Sequence, residues 1–253
     1  GSGVYWRRRA LRLRRLGWPN DDEGKIAMAR VLGTLTIGQA PRNDVVPIIE
    51  RHVPVGTRLV HRGALDGLSR ADIDAAYGAV GDEPALITRL HDGSSVNLSR
   101  QRMQKAVRDK LWLLEEDGCD VILLLCTGTF IGLECHRAWL IEPDHIIPAM
   151  VAGLVEQRQL GIIVPIAGQI VSEAEKWHPL ARAPLFATAS PYSAGEAALL
   201  DAGRTLLDKG AEALLLDCIG FTERHRKVLA ALGRPVILSN AIAAKAVGEL
   251  LEG

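Results

Sequence analysis

The sequence predicts an α/β protein built as two similar lobes, each a parallel sheet flanked by helices, with a cleft between them. Three observations carry this. Apolar β-like runs alternate with helix-like segments, the pattern of parallel strands with covering helices. Most of the runs are continuous rather than alternating, as expected of strands covered on both faces. Three segments also recur in the same order in the two halves of the chain.

In chain order, the strand candidates are Val31–Ile37, Val121–Leu125, His145–Ile147, Gly161–Pro165, Ala213–Leu216 and Pro235–Leu238. Helices are expected over Asp44–Arg51, Arg70–Tyr77, Arg100–Asp117, Met150–Arg158, Val171–Lys176, Ala194–Lys209, Glu223–Leu232 and Ala241–Leu251. Gly118 and Gly210 stand just past two of these, where a helix C-terminus favours a residue that tolerates positive φ.

The repeat is the most informative feature. Leu32-Gly33-Thr34-Leu35-Thr36-Ile37 is echoed by Leu160-Gly161-Ile162-Ile163-Val164-Pro165, and each leads to a Gly-Gln pair, Gly38-Gln39 and Gly168-Gln169. A helix ending in Asp117-Gly118-Cys119-Asp120 feeds Val121–Leu125 and Cys126-Thr127-Gly128. One ending in Lys209-Gly210-Ala211-Glu212 feeds Ala213–Leu216 and Asp217-Cys218-Ile219-Gly220. Ile146-Ile147-Pro148 then answers Ile237-Leu238-Ser239. The division that follows is a first lobe over 28–150 and a second over 151–253, with the terminal helix free to pack back on the first.

Composition fits this size. With 253 residues, 48% of them hydrophobic, the chain can bury two modest cores. Its net charge of zero hides an asymmetry. Seven of the 30 cations but only three of the 30 anions fall in residues 1–27, so the body from Met28 carries −4, which argues against a nucleic-acid partner. Gly1-Ser2-Gly3 reads as a cloning remnant, and the Arg-rich stretch 1–27 as a disordered tail or leader; a transit peptide and a tether to an anionic surface are the sharper alternatives. No apolar segment approaches the roughly 18 residues needed to cross a bilayer. The four cysteines lack CxxC pairing for zinc and are few for a disulfide-stapled domain, so no metal is expected and a reducing cytoplasm is the simplest compartment. There is no GxxxxGK[ST], GxGxxG, HExxH or GxSxG motif to support a nucleotide, zinc-protease or serine-hydrolase reading.

The candidate catalytic residues are Cys126 and Cys218. Both immediately follow a central strand, and open parallel sheets bind ligands beyond the carboxyl ends of their strands. Each is followed by small residues and then a helix-like stretch. A helix N-terminus would favour a thiolate there, and neighbouring backbone N–H groups would hold a carboxylate or oxyanion. One thiolate and one thiol across a cleft suit removal of a proton from one face of a carbon acid and its return on the other. A lone cysteine is more often a core residue; the symmetric placement of this pair reverses that preference. Cys119 and Cys135 have no repeat partner and are read as core.

Thr36-Ile37-Gly38-Gln39-Ala40-Pro41-Arg42-Asn43-Asp44, the strand Asp120–Leu125, and Leu216-Asp217-Cys218-Ile219-Gly220-Phe221 with Arg224-His225-Arg226 resemble the AroM family over about Val31 to Leu251. AroM proteins are similar in turn to the aspartate, glutamate and hydantoin racemases, maleate isomerase and arylmalonate decarboxylase. The resemblance implies a cofactor-independent cleft in which Cys126 and Cys218 act on a small carboxylate or related carbon acid. Related enzymes are often dimers or larger, so a homo-oligomer is admitted. The racemases usually follow the first cysteine with Asn-Thr and the second with Thr-His. Here Thr127-Gly128-Thr129 and Ile219-Gly220-Phe221 follow, which turns the expectation from amino-acid racemisation toward hydantoin-like racemisation, cis–trans isomerisation or decarboxylation.

The substrate-binding candidates are Gln39 and Arg42 after the first strand, Thr127, Gly128 and Thr129 beside the first cysteine, Ile219 and Gly220 beside the second, and Ser239 and Asn240 after the last strand. An arginine fork grips carboxylates. Helix capping explains one of Thr127 and Thr129 equally well and is the favoured reading of Ser239 and Asn240. Asp217, by strand alternation, points away from Cys218 and fixes its loop. His225 and His136 read as solvated residues. Beside the isomerase stand two other readings, a ligand-binding or regulatory protein without chemistry and a decarboxylase or lyase.

Overall fold

The computed structural model describes residues 30–252, so the Arg-rich stretch 1–27 lies outside the described residues. The elements run β1 (Val31–Thr36), α1 (Val46–Glu50), β2 (Arg58–Gly63), α2 (Arg70–Tyr77), β3 (Ala85–Arg89), β4 (Ser95–Ser99), α3 (Arg100–Glu116), β5 (Val121–Leu125), β6 (Trp139–Ile141) and α4 (Pro143–Val155). They continue with β7 (Leu160–Val164), α5 (Gly168–Ser172), a 3-10 turn (Ala174–Trp177), β8 (Leu185–Thr188), α6 (Glu196–Asp208), β9 (Ala213–Leu216), α7 (Glu223–Ala230), β10 (Val236–Leu238) and α8 (Ser239–Leu251).

Two parallel four-stranded sheets form, in the orders β2-β1-β5-β6 and β10-β9-β7-β8. Read from its other end, the second is β8-β7-β9-β10, so β1 answers β7, β5 answers β9 and β6 answers β10. The registers match too: Leu123 pairs with Ile141 in one sheet, and Leu215 with Ile237 in the other. Every residue of β5, β7 and β9 is buried, because helices cover both faces. Gly118 and Gly210 turn the chain into β5 and β9 at φ of 80° and 97°.

The closing helices are exchanged. Ile147, Val151 and Val155 of α4 leave the first sheet and pack on Leu160, Ile162 and Val164 of β7. Ala243, Ala244, Val247 and Leu251 of α8 leave the second sheet and pack on Leu32, Val121, Leu123 and Leu125. Each lobe is thus completed by the other's last helix.

The expected strand at His145–Ile147 is instead the first turns of α4, which starts at Pro143 and passes through Pro148. The apolar pair Ile146-Ile147 belongs to a helical face continued by Val151 and Val155. The true strand here is β6, three residues at a sheet edge. The sequence reading also lacks β2, β8 and the antiparallel hairpin β3–β4. That hairpin lies between β2 and α3 and has no counterpart between β8 and α6 among the described residues. No helix among the described residues is long and apolar enough to cross a membrane.

Candidate active site

Cys126 and Cys218 line one small cavity of about 20 Å³, walled by Arg42, Thr127, Gly128, Ile219, Gln169 and Tyr192 and roofed by Leu86, Ile87 and Thr88 of the β3–β4 hairpin. Both cysteine residues are 7% exposed and neither is in a disulfide. No helix begins at Cys126, where 127–138 runs as a loop, and α7 begins only at Glu223. The two loops instead make the same local bond. The Gly128 N–H donates to Cys126 Sγ at 3.4 Å, and the Gly220 N–H to Cys218 Sγ at 3.5 Å. A Cβ at Gly128 would overlap Leu86, and one at Gly220 the Tyr192 hydroxyl, so both turns need glycine to sit this close to the cavity wall.

A cation from the opposite lobe borders each thiol. Arg42, from the loop after β1, donates through Nε and Nη2 to both oxygens of Asp44 at 2.8 Å and through Nη2 to the Tyr192 hydroxyl at 3.3 Å. Tyr192 in turn hydrogen-bonds Cys218. Lys176, from the turn that follows β7 and α5, donates to the Thr127 carbonyl at 2.8 Å and pairs with Asp217 at 2.8 Å. Glu173 accepts from Arg100 Nη1 at 3.0 Å and from the Thr129 N–H and hydroxyl at 3.3 Å. Loops after the equivalent strands β1 and β7 therefore reach across to Cys218 and Cys126 respectively.

Burial dominates the acidities. It pushes the Cys126 thiol well above its ordinary value, against the Gly128 N–H and Lys176, and the nearby Cys218 and Glu173 push the same way. It raises Cys218 too, opposed by the Gly220 N–H, Arg42 and Tyr192. Burial works to lower Lys176, but Asp217 and Glu173 outweigh it and raise the ammonium's pKa. The same holds for Arg42, where Tyr192 and Asp44 overcome desolvation. Both cysteines are protonated at neutral pH, each beside groups that favour its thiolate.

Of the residues expected at the site, Cys126, Cys218, Arg42, Thr127, Gly128 and Ile219 line the cavity, and Gly220 supports it through its N–H. Gln39 lies in a neighbouring open pocket that shares Arg42. Its amide ties Leu68 O at 3.2 Å to the His91 N–H at 2.9 Å. Thr129 faces Glu173. Ser239 and Asn240 work from behind the site: Ser239 donates to Leu216 O at 2.8 Å, and Asn240 to Ile219 O and Phe221 O at 2.9 and 2.6 Å, which fixes the Cys218 loop. His225 Nδ1 accepts from the Thr222 N–H at 2.9 Å and caps α7, while the His136 N–H donates to Glu115.

The sequence reading missed Lys176, Glu173, Tyr192 and Thr88. A signal existed for one of them. Gly168-Gln169 marks the loop equivalent to Gly38-Gln39, and a cation beyond it, as Arg42 lies beyond Gln39, is Lys176.

Known structures share this architecture. Allantoin racemase from Klebsiella pneumoniae aligns at 15% identity and TM-score 0.60 over 88% of each chain. Glutamate racemase from Francisella tularensis subsp. tularensis SCHU S4, solved with D-glutamate, aligns at 15% identity and TM-score 0.59 over 88% of this chain and 81% of its own. Unliganded arylmalonate decarboxylase aligns at 13% identity and TM-score 0.55 over 88% and 93%. At these identities the likeness is one of fold. No curated protein sequence matches the chain. The family model described as AroM protein matches residues 32–251, and the chain belongs to the AroM family.

Proposed function

We propose that this protein is a cofactor-independent isomerase that racemises or isomerises a small carboxylate or related carbon acid, with Cys126 and Cys218 as its acid–base pair. The observation that carries the reading is the matched pair itself: two thiols on equivalent strand ends of a duplicated fold, facing one cavity. Each accepts a glycine N–H and borders a cation from the other lobe.

In one direction the thiolate of Cys126 takes the α-proton. The C–H electron pair passes into the adjacent carbonyl as an enolate, and the Cys218 thiol gives its proton to the opposite face and is left as the thiolate. The reverse direction exchanges the roles. Lys176 and the Gly128 N–H favour the first thiolate, and Arg42, Tyr192 and the Gly220 N–H favour the second. Arg42 and Lys176 are already matched by Asp44 and Asp217, which fits a small substrate of low charge better than a dicarboxylate. A cavity of about 20 Å³ has room for about one water, so substrate entry requires the β3–β4 hairpin or the lobes to part. The allantoin racemase among the structural neighbours adds cyclic ureides to the substrates worth testing.

The test is proton NMR in deuterated buffer with chiral acids, hydantoins, allantoin and maleate, comparing wild type with Cys126→Ser and Cys218→Ser. The expected result is α-proton washout or interconversion that each substitution abolishes while the fold is retained. Carbon dioxide release without exchange would replace the isomerase with a decarboxylase. Binding that survives both substitutions without turnover would replace it with a binding protein.

A further inference from the structure

At the start of α4, outside the cysteine cavity, Glu142, Asp144 and His145 bring three metal-ligating atoms within 4.8 Å of one another. Glu142 and Asp144 are each only 8% exposed, yet Glu142 Oε2 and Asp144 Oδ1 have no hydrogen-bond partner. Buried carboxylate oxygens are costly without a donor or a cation. The Thr129 hydroxyl and the Asp144 N–H reach the Asp144 carboxylate, but no donor reaches Glu142 Oε2 or Asp144 Oδ1. Glu142 stands at the N-cap position of α4 without making a capping bond. His145 Nδ1 lies 3.7 Å from Glu142 Oε1, beyond hydrogen-bond range.

The two halves of the fold sharpen the point. Asp144 is the second residue of α4, and Asn240 is the second residue of the equivalent helix α8. The Asn240 amide donates to two carbonyls of the Cys218 loop. Asp144 has no donor to offer the Cys126 loop, although the Thr129 hydroxyl, three residues past Cys126, stands between the Asp144 and Glu173 carboxylates with one proton for the two.

We propose that Glu142, Asp144 and His145 hold a divalent cation that braces the Cys126 loop from behind. Two carboxylate oxygens and one imidazole nitrogen suit Mn²⁺ or Zn²⁺. His145 is 64% exposed, so water reaches the remaining coordination positions. The positive end of α4 opposes a cation, but its half charge is smaller than the two carboxylate charges. The rival arrangement is a proton shared between them.

The full chain, stripped with chelator, is titrated with Mn²⁺ alone and followed by electron paramagnetic resonance and melting temperature. Mn²⁺ has little affinity for thiols and so avoids the cysteines. One ion per chain is expected, with a raised melting temperature. Glu142→Gln and Asp144→Asn should abolish uptake, and His145→Ala, at an exposed position where folding is not at risk, should weaken it roughly tenfold or more. Absence of stoichiometric uptake by the wild type overturns the proposal, as does uptake that none of the three substitutions changes. A melting temperature raised by Asp144→Asn without any Mn²⁺ uptake would establish the shared proton in its place. None of these readouts depends on the isomerase activity.

Discussion

Replacing Lys176 by methionine keeps most of the side-chain volume and removes one charge from the wall between the lobes. In the wild type the ammonium bonds the Asp217 carboxylate and the Thr127 carbonyl, both at 2.8 Å, and both partners of the ion pair are nearly solvent-free at 7% and 3% exposure. Without it, Asp217 keeps only the Ser239 hydroxyl at 3.4 Å among side-chain donors. Breaking one side of a buried pair costs about 3–5 kcal/mol, because a desolvated charge is left behind. That is a large share of the roughly 5–15 kcal/mol that holds a domain folded. Urea denaturation should show it as a lower midpoint at constant slope. The double variant Lys176→Met/Asp217→Asn removes both charges and should recover roughly 1–3 kcal/mol of the summed single losses. The lysine also helps Cys126 ionise, so in a Cys218→Ser background the pH profile of Cys126 alkylation should move upward in Lys176→Met. A single-variant cost below about 1 kcal/mol, the worth of an exposed pair, would refute the buried, desolvated pair, and so would strict additivity in the double variant.

Thr88 is fully buried with its hydroxyl unpartnered against the cysteine cavity. Thr88→Val should therefore leave the melting temperature unchanged or raise it, whereas losing a made hydrogen bond would cost about 1 kcal/mol; a raised KM in the NMR assay would mark the hydroxyl as a substrate contact. Glu115 accepts N–H bonds from His136, Arg137 and Ala138 at 3.0, 2.6 and 2.9 Å. Burial alone would raise its pKa, but these bonds overcome it and hold the carboxyl below its ordinary range. Its contribution is thus complete above the unfolded value near 4.3 and is lost as pH falls through the lower folded value. Glu115→Gln should cost roughly 2–4 kcal/mol at neutral pH, with the gap to wild type closing in acid denaturation.

The parts of the fold that were legible in the sequence are those buried on both faces. β5, β7 and β9 are continuous apolar runs because nothing along them meets water. The strands that escaped notice are edges and a hairpin. β2 carries Arg58, His61 and Arg62, residues that keep an edge soluble but leave little apolar pattern to read. At the site, duplication revealed the two cysteines and the end of the first strand pointed to Arg42, but neither revealed Lys176. The lysine lies seven residues beyond Gln169, whereas Arg42 lies three beyond Gln39, and the extra residues of α5 hide the correspondence. Tyr192 and Thr88 come from a loop and a hairpin with no repeat partner, so only three-dimensional closure brings them to Cys218 and the cavity roof.

That duplication is imperfect where the chemistry would be done, and the imperfection has a kinetic consequence. Cys126 is flanked by Glu173, which disfavours its thiolate, and by Lys176, which favours it; Cys218 meets Arg42 and the Tyr192 hydroxyl against Asp217 alone. On the proposed mechanism the two thiolate forms, both minor beside the doubly protonated pair, are therefore unequally supported. For a pair of enantiomers the equilibrium constant is one, so kcat/KM must be equal in the two directions whatever the asymmetry. The difference between the thiols can appear only as kcat and KM changing together, with one enantiomer meeting the better supported thiolate and the other the less supported one. A binding protein faces no such constraint. Unequal kcat values at equal kcat/KM, converging when Tyr192→Phe weakens the support of Cys218, would tie the measured asymmetry to these residues.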